Sequence, residues 1–229
     1  MKYHILRILI TASVLLNIIL LINPCLFLKC TTQNQRKAYN RQYYDGRKSL
    51  FEILPKNYTD ILFLGNSITD GVELHELFDN CNVKNRGINA DTIEGIQERL
   101  VETLSVTPSK IFLLIGTNDL KYHSTSKIII DYQKLLEKIK ELAPSSRLFI
   151  QSILPVIDTE LRSNKDINEI NTQLKNICSN WDHIEFIDLT SALKDSNGQL
   201  ESKYTYDGLH LNGTGYLKWK TVIEKYLKI

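Results

Sequence analysis

Short apolar runs alternate with amphipathic stretches along most of the chain. An apolar run of about four to eight residues is typical of a strand that is buried on both faces of a parallel sheet. Five stretches have this character, the second more weakly than the others: 60–65 (DILFLG), 82–87 (NVKNRG), 109–116 (SKIFLLIG), 147–154 (RLFIQSIL) and 183–189 (HIEFIDL). We therefore predict five strands.

The stretches between and after these strands are predicted to contain helices. Their bounds are 73–79, 91–104, 126–143, 165–181 and 213–228. In the second and fourth, apolar residues recur at helical spacing; Asp91 is suited to cap the second, and Pro144 to stop the third. Strands alternating with helices imply a parallel sheet covered on both faces, so residues 60–229 are predicted to form one three-layer α/β/α domain.

The N-terminus differs in kind from the rest of the chain. Residues 5–28 are almost continuously apolar, and about 20 apolar residues span a bilayer. Lys2 and Arg7 precede the apolar core as in a signal sequence, but no small-residue cleavage site comes after it. We expect residues 1–30 to be an uncleaved transmembrane anchor, with a cleaved signal or a lipidated one as the alternatives.

The segment after this anchor, residues 31–59, is polar and rich in tyrosine. We predict a tether that leads into a short helix ending near Pro55. Because signal-like N-termini direct the rest of the chain to export, we expect the globular domain to lie outside the cytoplasm, either membrane-anchored or exported to the cell envelope or periplasm.

Composition narrows the possible functions. The chain has 28 Lys and Arg against 26 Asp and Glu, for a formal net charge of +2. This balance gives no electrostatic reason to expect a nucleic-acid partner. The four cysteines form no C-x-x-C pair, so neither a zinc site nor a redox motif is predicted. Cys81 and Cys178 are expected to be buried thiols.

Three predicted strands end in turns that contain polar residues or glycine. Ser67 comes after the first strand, Gly87 closes the second and Asn118 comes after the third. In open parallel sheets, ligands bind beyond the carboxyl ends of the strands, near the point where the strand order reverses. We therefore expect these three turns to lie at one edge of the sheet and to form the site.

Ser67 and His210 are candidates for nucleophilic chemistry. A serine hydroxyl needs a base to remove its proton, and His210, with Asp207 three residues before it, can be that base once the carboxylate fixes the imidazole tautomer. Thr69 stands where the G-x-S-x-G elbow of α/β-hydrolases has its second glycine, which argues against that fold. Either residue taken alone could also have a purely structural role: serine is common in turns, and the residues around His210 could form a turn that caps a helix.

Hydrolysis of an ester places negative charge on the carbonyl oxygen, so hydrogen-bond donors must already point there. The candidate donors are the Ser67 and Gly87 backbone N–H groups and the Asn118 side-chain amide. Gly87 and Asn118 could also have a purely structural role. Gly87 could simply form a turn, and Asn118 could form an Asx-turn after the strand.

Four motifs considered together narrow these alternatives. They are GNSITDG (65–71), NRGINADT (85–92), GTNDL (116–120) and DGLHLNGTGY (207–216). In order and approximate spacing they resemble the four signature blocks of the SGNH hydrolases, the GDSL-type lipase and esterase superfamily. The resemblance covers about residues 60–228.

This resemblance implies a flavodoxin-like three-layer α/β/α sandwich with a five-stranded parallel sheet, preceded here by the N-terminal hydrophobic helix. It implies a catalytic triad of Ser67, Asp207 and His210 and an oxyanion hole of Ser67, Gly87 and Asn118, with no metal and no cofactor. Two positions depart from the family pattern: Asn66 and Ile68 replace the Asp and Leu that flank the serine, and neither indicates loss of activity.

The expected function is hydrolysis of small acyl esters. The compact chain favours an O-acetyl esterase acting on carbohydrate, with an acetylated glycan as substrate. A lipase or lysophospholipase-like acylhydrolase is the alternative, for which the membrane anchor would be useful; a non-catalytic, membrane-tethered binding module is the alternative from another class. Asp70 and Asp119 are expected to support the loops around the site, and His123 to lie on a surface loop.

Overall fold

The computed structural model of the chain describes residues 40–228. The predicted N-terminal hydrophobic helix, and with it the anchor assigned to residues 1–30, lies outside the described residues. Among the residues that are described, no helix is both long and apolar enough to cross a bilayer. The first described element is a helix, α1, over residues 40–53.

A five-stranded parallel sheet forms the centre of the fold, as predicted. Its strands are β1 (Ile61–Gly65), β2 (Val83–Gly87), β3 (Lys110–Leu114), β4 (Arg147–Gln151) and β5 (Ile184–Ile187). The spatial order is β2-β1-β3-β4-β5, which is the flavodoxin-like order. Three predicted strands, those that match β3, β4 and β5, were too long at their carboxyl ends because the apolar residues Ile115, Ile153, Leu154 and Leu189 are buried beyond the strands.

Helices connect the strands and are named in chain order. They are α2 (Ser67–Asp70), α3 (Leu74–Leu77), α4 (Ile93–Thr103), α5 (Thr125–Leu142), α6 (Asn164–Cys178), α7 (Thr190–Leu193) and α8 (Gly213–Leu227). Short 3₁₀ turns, η1 (Asp119–Lys121) and η2 (Ser202–Tyr204), lie after β3 and before α8.

The core lies in two layers, one on each face of the sheet. Side chains alternate along a strand, so Leu62 and Leu64 of β1 pack in one cluster with α4, α5 and α6, whereas Phe63 packs in the other with α2, α3, α7 and α8. In the second layer, Phe112 stacks between Phe63 and Phe149, at centroid distances of 4.5 and 4.6 Å. The predicted three layers are therefore present.

Two local predictions are wrong. Thr92, not Asp91, caps α4, since its side chain accepts a hydrogen bond from the Gly95 N–H at 3.2 Å. Asp91 is buried and binds Arg99 instead, with Arg99 Nη2 2.8 Å from Asp91 Oδ2. Cys81 is exposed because it lies in the loop between α3 and β2; Cys178 is buried as expected, and both are free thiols.

Helix α1 contacts the sheet edge near the site. Phe51 is buried, and the guanidinium groups of Arg47 and Arg86 lie 4.7 and 5.0 Å from its ring centroid. Arg47 also forms an ion pair with Asp70 of α2, at 3.1 Å. This end of α1 thus packs against β2 and the short helix that begins with Ser67.

Candidate active site

The predicted site residues meet beyond the carboxyl ends of β1, β2 and β3. Gly65, the last residue of β1, is in register with Gly87 of β2 and with Leu114 of β3. The chain runs outward from β1 to β2 and then returns to β3 on the other side, so the crevice between these strand ends is the switch point of the sheet.

Ser67 is the first residue of α2, directly after a capping residue. The Asn66 side chain is buried and accepts a hydrogen bond from the Ile68 N–H at 3.1 Å. An amide oxygen can accept this bond as a carboxylate would, so Asn66 suits a position where the family motif has Asp. The N–H groups of a first helical turn lack partners within the helix, and no acceptor in the described part of the chain binds the Ser67 N–H.

Other contacts hold α2 in place. Tyr216 of α8 donates its hydroxyl hydrogen to the Ile68 carbonyl at 2.8 Å. Asn85 of β2 donates through Nδ2 to the carbonyls of Thr69 and Val72, at 2.6 and 2.9 Å. Helix α2 is therefore bound from both sides, which keeps the Ser67 side chain in one place.

Ser67, His210 and Asp207 form a continuous hydrogen-bonded chain. Ser67 Oγ lies 2.9 Å from His210 Nε2, and His210 Nδ1 lies 2.6 Å from Asp207 Oδ2. An ionised carboxylate can only accept, so Nδ1 carries the hydrogen and Nε2 of the neutral ring is free to accept the serine proton. The three residues have the geometry of a nucleophile, a general base and the group that orients the base.

The turn that carries His210 is fixed by its own hydrogen bonds. Asp207 Oδ1 accepts from the N–H groups of Leu209 and His210, at 3.0 and 2.8 Å, and Gly208 between them has a φ of 82°. Burial raises the pKa of Asp207, but the bonds from the His210 ring and from these N–H groups outweigh it and bring the pKa below its ordinary value. Asp207 is thus held in the ionised form that supports an imidazolium.

Asn118 is a buried amide whose orientation is fixed at both ends. Its Nδ2 donates to the Asp91 carbonyl at 3.0 Å, and its Oδ1 accepts from Arg162 Nη2 at 3.2 Å. Because an amide nitrogen has two hydrogens, one remains for a substrate oxygen. Arg162 and Asn118 lie 44 residues apart in the chain, and no short motif indicated their contact.

Gly87 has a different role from the predicted one. Its N–H donates to Asn85 Oδ1 at 2.7 Å and is therefore not free to bind an oxyanion. A Cβ at this position would lie 2.3 Å from the Asp70 nitrogen, so the glycine is required where β2 packs against α2. The structure corrects the assignment of Gly87 as an oxyanion donor.

Ala90, three residues later, was missed by the sequence analysis. It has a φ of 62°, which is rare for a residue with a side chain, and it comes after Asn89 in a turn closed by the Asp91 N–H on the Ile88 carbonyl. Within residues 40–228, no acceptor binds the Ala90 N–H. The neighbouring Asp91 carbonyl binds Asn118, which makes the Ala90 N–H a candidate donor. Alanine, unlike glycine or asparagine, does not indicate a left-handed turn, so this turn could not be predicted from the sequence pattern.

Asp70 and Asp119 support these loops, as expected. Asp70 Oδ2 accepts from the Asn89 N–H at 3.0 Å, and Asp119 Oδ1 accepts from the Ile93 N–H at 3.1 Å. Burial raises the pKa of Asp119 to about 6, although the Ile93 N–H opposes the shift. Together the two carboxylates hold the turn at Ala90 and the start of α4.

Histidine, cysteine and carboxylate side chains are the usual ligands of a metal ion in a site of this kind. In the part of the chain that the structure describes, no three of them are grouped so that they could hold one. His123 is exposed, as expected.

Residues 63–218 match the model of the GDSL-like lipase/acylhydrolase family. The chain belongs to this family. The matched range includes Ser67, the buried amide of Asn118 and the Asp207–His210 turn, and the resemblance of the four motifs is confirmed. The fold is likewise that of the GDSL hydrolases, whose family comprises lipases and acylhydrolases of esters.

Known proteins that are similar to this chain have names that refer to different activities. An N-acylneuraminate cytidylyltransferase of Escherichia coli is 31% identical over 174 residues, which are 74% of this chain and 41% of that protein. A platelet-activating factor acetylhydrolase IB subunit alpha2 of Rattus norvegicus is 24% identical over 165 residues, 69% of this chain and 72% of that one. The chain therefore spans less than half the length of the E. coli relative.

A solved structure from Streptococcus pneumonia, provisionally described as a platelet activating factor, superposes with a TM-score of 0.80 at 27% identity. The match covers 86% of this chain and 99% of that one.

Proposed function

We propose that this protein is a serine esterase that hydrolyses acyl esters through Ser67, His210 and Asp207. The observation that carries the proposal is the continuous chain of contacts from Ser67 Oγ to His210 at 2.9 Å and from His210 to Asp207 at 2.6 Å. Neither a metal nor a cofactor takes part in this chemistry.

The reaction proceeds in two displacements. Ser67 Oγ attacks the ester carbonyl while His210 Nε2 takes the serine proton, and the tetrahedral oxyanion accepts hydrogen bonds from the Ser67 N–H, the Ala90 N–H and Asn118 Nδ2. The alcohol leaves with the proton from His210. Water then attacks the acyl-enzyme with the same groups in the same roles, which releases the acid and restores the serine.

The substrate proposed is an O-acetyl ester on carbohydrate. The rat relative is by name an acetylhydrolase, and the E. coli relative is by name an enzyme of N-acylneuraminate, a sugar. A polar cavity of about 570 Å³ supports a hydroxyl-rich ligand; its lining includes Gln97, Asp119, Tyr122 and His123. Asp119, which lines the cavity, directly follows Asn118 in the chain, although Asn118 and the triad residues are not part of the lining.

The test is the rate of hydrolysis of p-nitrophenyl esters from C2 to C16 by the purified full-length protein, with Ser67→Ala alongside. We expect serine-dependent activity that is highest on the acetate. A maximum at octanoate or longer would contradict the acetyl assignment and leave the esterase chemistry in place.

A lipase or lysophospholipase-like acylhydrolase is the second candidate. Ile157 and Leu161, in the loop between β4 and α6, are 44% and 57% exposed, and the Ile157 N–H donates to the carbonyl of Gly208, in the turn that carries His210, at 2.8 Å. These side chains could line a short apolar path for an acyl chain. Activity that increases with chain length, and falls when Leu161 is changed to Ser, would favour this candidate over the first.

A non-catalytic binding module on the same fold is the alternative from another class. The intact hydrogen bonds of Ser67, His210 and Asp207 argue against it, because a binding module has no need of an aligned base. Failure of a fluorophosphonate probe to label Ser67 would favour the binding module.

The proposed cellular location of the protein rests on its sequence alone. Residues 1–30 would hold the protein at a membrane, with the esterase domain outside the cytoplasm. Recovery of the full-length protein in the soluble fraction of cells, with no export, would contradict it.

A further inference from the structure

Arg162 brings a positive charge to the mouth of the site. Its Nε donates to the Thr117 carbonyl at 3.1 Å and its Nη2 to Asn118 Oδ1 at 3.2 Å, so the guanidinium is held next to the oxyanion donor. The side chain is half-buried, and Nη1 has no partner among the described residues. Arg162 forms no ion pair there, although Asp207 lies close enough to raise its pKa against the larger, opposite effect of burial.

Lys121 brings a second positive charge to the same place. It ends η1, three residues after Asn118, and is half-buried. Its Nζ has no hydrogen bond or ion pair with any residue from 40 to 228. Burial and, after it, the charge of Arg162 lower the pKa of Lys121, and the second effect requires the two cations to be close.

Several other buried or partly buried cations among the described residues have partners that compensate them. Arg99 binds Asp91, Lys56 binds Glu102, and Lys110 donates to the carbonyls at the end of α8. By contrast, Arg162 and Lys121 repel each other, and nearby Asp207 is already committed to His210. Two partly desolvated cations near a single carboxylate, with which neither forms an ion pair, leave an excess of positive charge that an anion bound between them would compensate.

We propose that Arg162 and Lys121 form a subsite for a carboxylate on the alcohol part of the ester, so that the substrate is the acetyl ester of an acidic sugar. This inference rests on the proposed esterase function and specifies its substrate class. The planar guanidinium suits a carboxylate, whose two oxygens can bind Arg162 Nη1 and Lys121 Nζ together. Because Arg162 also binds Asn118, the carboxylate would lie close to the reacting carbonyl.

A matched pair of substrates tests the charge alone. One is a mono-O-acetylated hexuronic acid, and the other is the same compound with its carboxylate converted to a primary carboxamide, which has nearly the same shape. Acetate release by the full-length protein gives kcat/KM for each. We expect the acid to be preferred about tenfold or more, as one charge-assisted hydrogen bond provides, and the preference to shrink as salt is raised. Equal kcat/KM values, or a better carboxamide, would overturn the inference.

Three variants assign the preference to the two cations. Lys121→Gln should lower the acid-to-carboxamide ratio about tenfold, whereas Lys165→Gln, which removes an exposed charge on α6, should leave it unchanged. Arg162→Lys keeps the positive charge but loses the planar set of N–H donors of the guanidinium, so it should also lower the acid-to-carboxamide ratio. If Lys121→Gln and Lys165→Gln give the same ratio, the subsite is refuted.

Two controls separate this inference from the broader proposal. Hydrolysis of p-nitrophenyl acetate by the same preparations reports the esterase chemistry, which the absence of a charge preference would leave standing. No serine-dependent hydrolysis of that ester would instead refute the proposed function. A preference for the acetyl ester of glycerol 3-phosphate over the sugar acid would overturn the assignment of the anion as a carboxylate.

Discussion

Single residues at the strand ends determine what the site can do. Asn66 closes β1 with its own side chain, which leaves the Ser67 N–H without an acceptor in the described part of the chain and Ser67 Oγ facing His210. The left-handed Ala90 leaves a second N–H unpaired nearby. Unpaired donors and backbone strain both cost stability and are typical of sites that bind charge.

Asn118→Ala tests the oxyanion hole. Removing one preorganised donor should lower kcat by about 10²- to 10³-fold with a smaller change in KM, because the donor acts mainly on charge that develops in the transition state. Steady-state kinetics on p-nitrophenyl acetate measure this, with circular dichroism as the check on folding. A folded Asn118→Ala protein with unchanged kcat would exclude Asn118 from the oxyanion hole.

Ala90→Gly tests the strain in the turn. A residue with a Cβ at φ of 62° is strained, and glycine relieves that strain at some cost in chain entropy, so we expect a gain of about 0.5 to 1 kcal/mol in the free energy of unfolding. Urea denaturation measures it. A loss of stability would mean that the alanine is not strained in the folded protein.

The sequence could predict that Ser67, Asp207 and His210 meet, because each lies in a short motif with a chemical reason for its residue types. It could not predict Arg162, whose contact with Asn118 depends on the path of the loop after β4. For Gly87 the sequence predicted the residue type but not the contact. A glycine was correctly expected where the backbone comes very close to another group, but that group is helix α2 and not the substrate.

The packing of secondary-structure elements fixes the position of Ser67. The short helix α2 has one turn and cannot be stable alone, so Tyr216 from α8, Asn85 from β2 and Arg47 from α1 hold it. The helix was not predicted because four residues are too few for a hydrophobic period. The long amphipathic helices α4 and α6, which have such a period, were predicted to within a few residues.

Gly87→Ala tests the contact between β2 and α2. The added Cβ would lie 2.3 Å from the Asp70 nitrogen and 2.7 Å from the Thr69 carbonyl carbon. Relief of this overlap should cost about 1 to 3 kcal/mol of stability. Gly213→Ala, where a Cβ would meet nothing within 4 Å, is the matched control and should change little. Equal unfolding midpoints for the two variants would argue against the tight packing at Gly87.

The architecture of the whole molecule is determined by its pattern of apolar and polar residues. The central strands β1, β3 and β4 were predictable because both faces of the sheet are covered, which makes them apolar almost throughout. The edge strands β2 and β5 contain polar residues such as Lys84 and Glu185. The ends of the strands were less predictable, since buried loop residues such as Ile153 continue the apolar run. The three-layer arrangement brings residues from 67 to 210 to one edge, and the site is therefore a property of the whole domain.

The stability of the domain should depend on pH through Asp119. Its pKa is raised to about 6 by burial in the folded protein, against 3.8 for the ordinary group. The folded state thus holds a proton that the unfolded state has lost, so the free energy of unfolding should fall as pH rises from about 4 to about 6.

The size of this loss should be about 2 to 3 kcal/mol. Asp119→Asn keeps an acceptor for the Ile93 N–H and removes the titration. The stability of the wild type relative to this variant, from urea unfolding between pH 4 and pH 7, reports the titration of Asp119; Asp91, whose pKa burial also raises to about 6, is present in both proteins. A difference that does not change with pH, or that grows in favour of the wild type as pH rises, would contradict the assignment.

The central question is whether Ser67 is a nucleophile, and turnover of p-nitrophenyl acetate by the full-length protein answers it most directly. The wild type and Ser49→Ala, which changes an exposed serine of α1, should hydrolyse the ester equally and incorporate one fluorophosphonate label per chain. Ser67→Ala should incorporate none and lose about 10⁴-fold or more in kcat. A Ser67→Ala protein that retains the wild-type rate would refute the proposed mechanism.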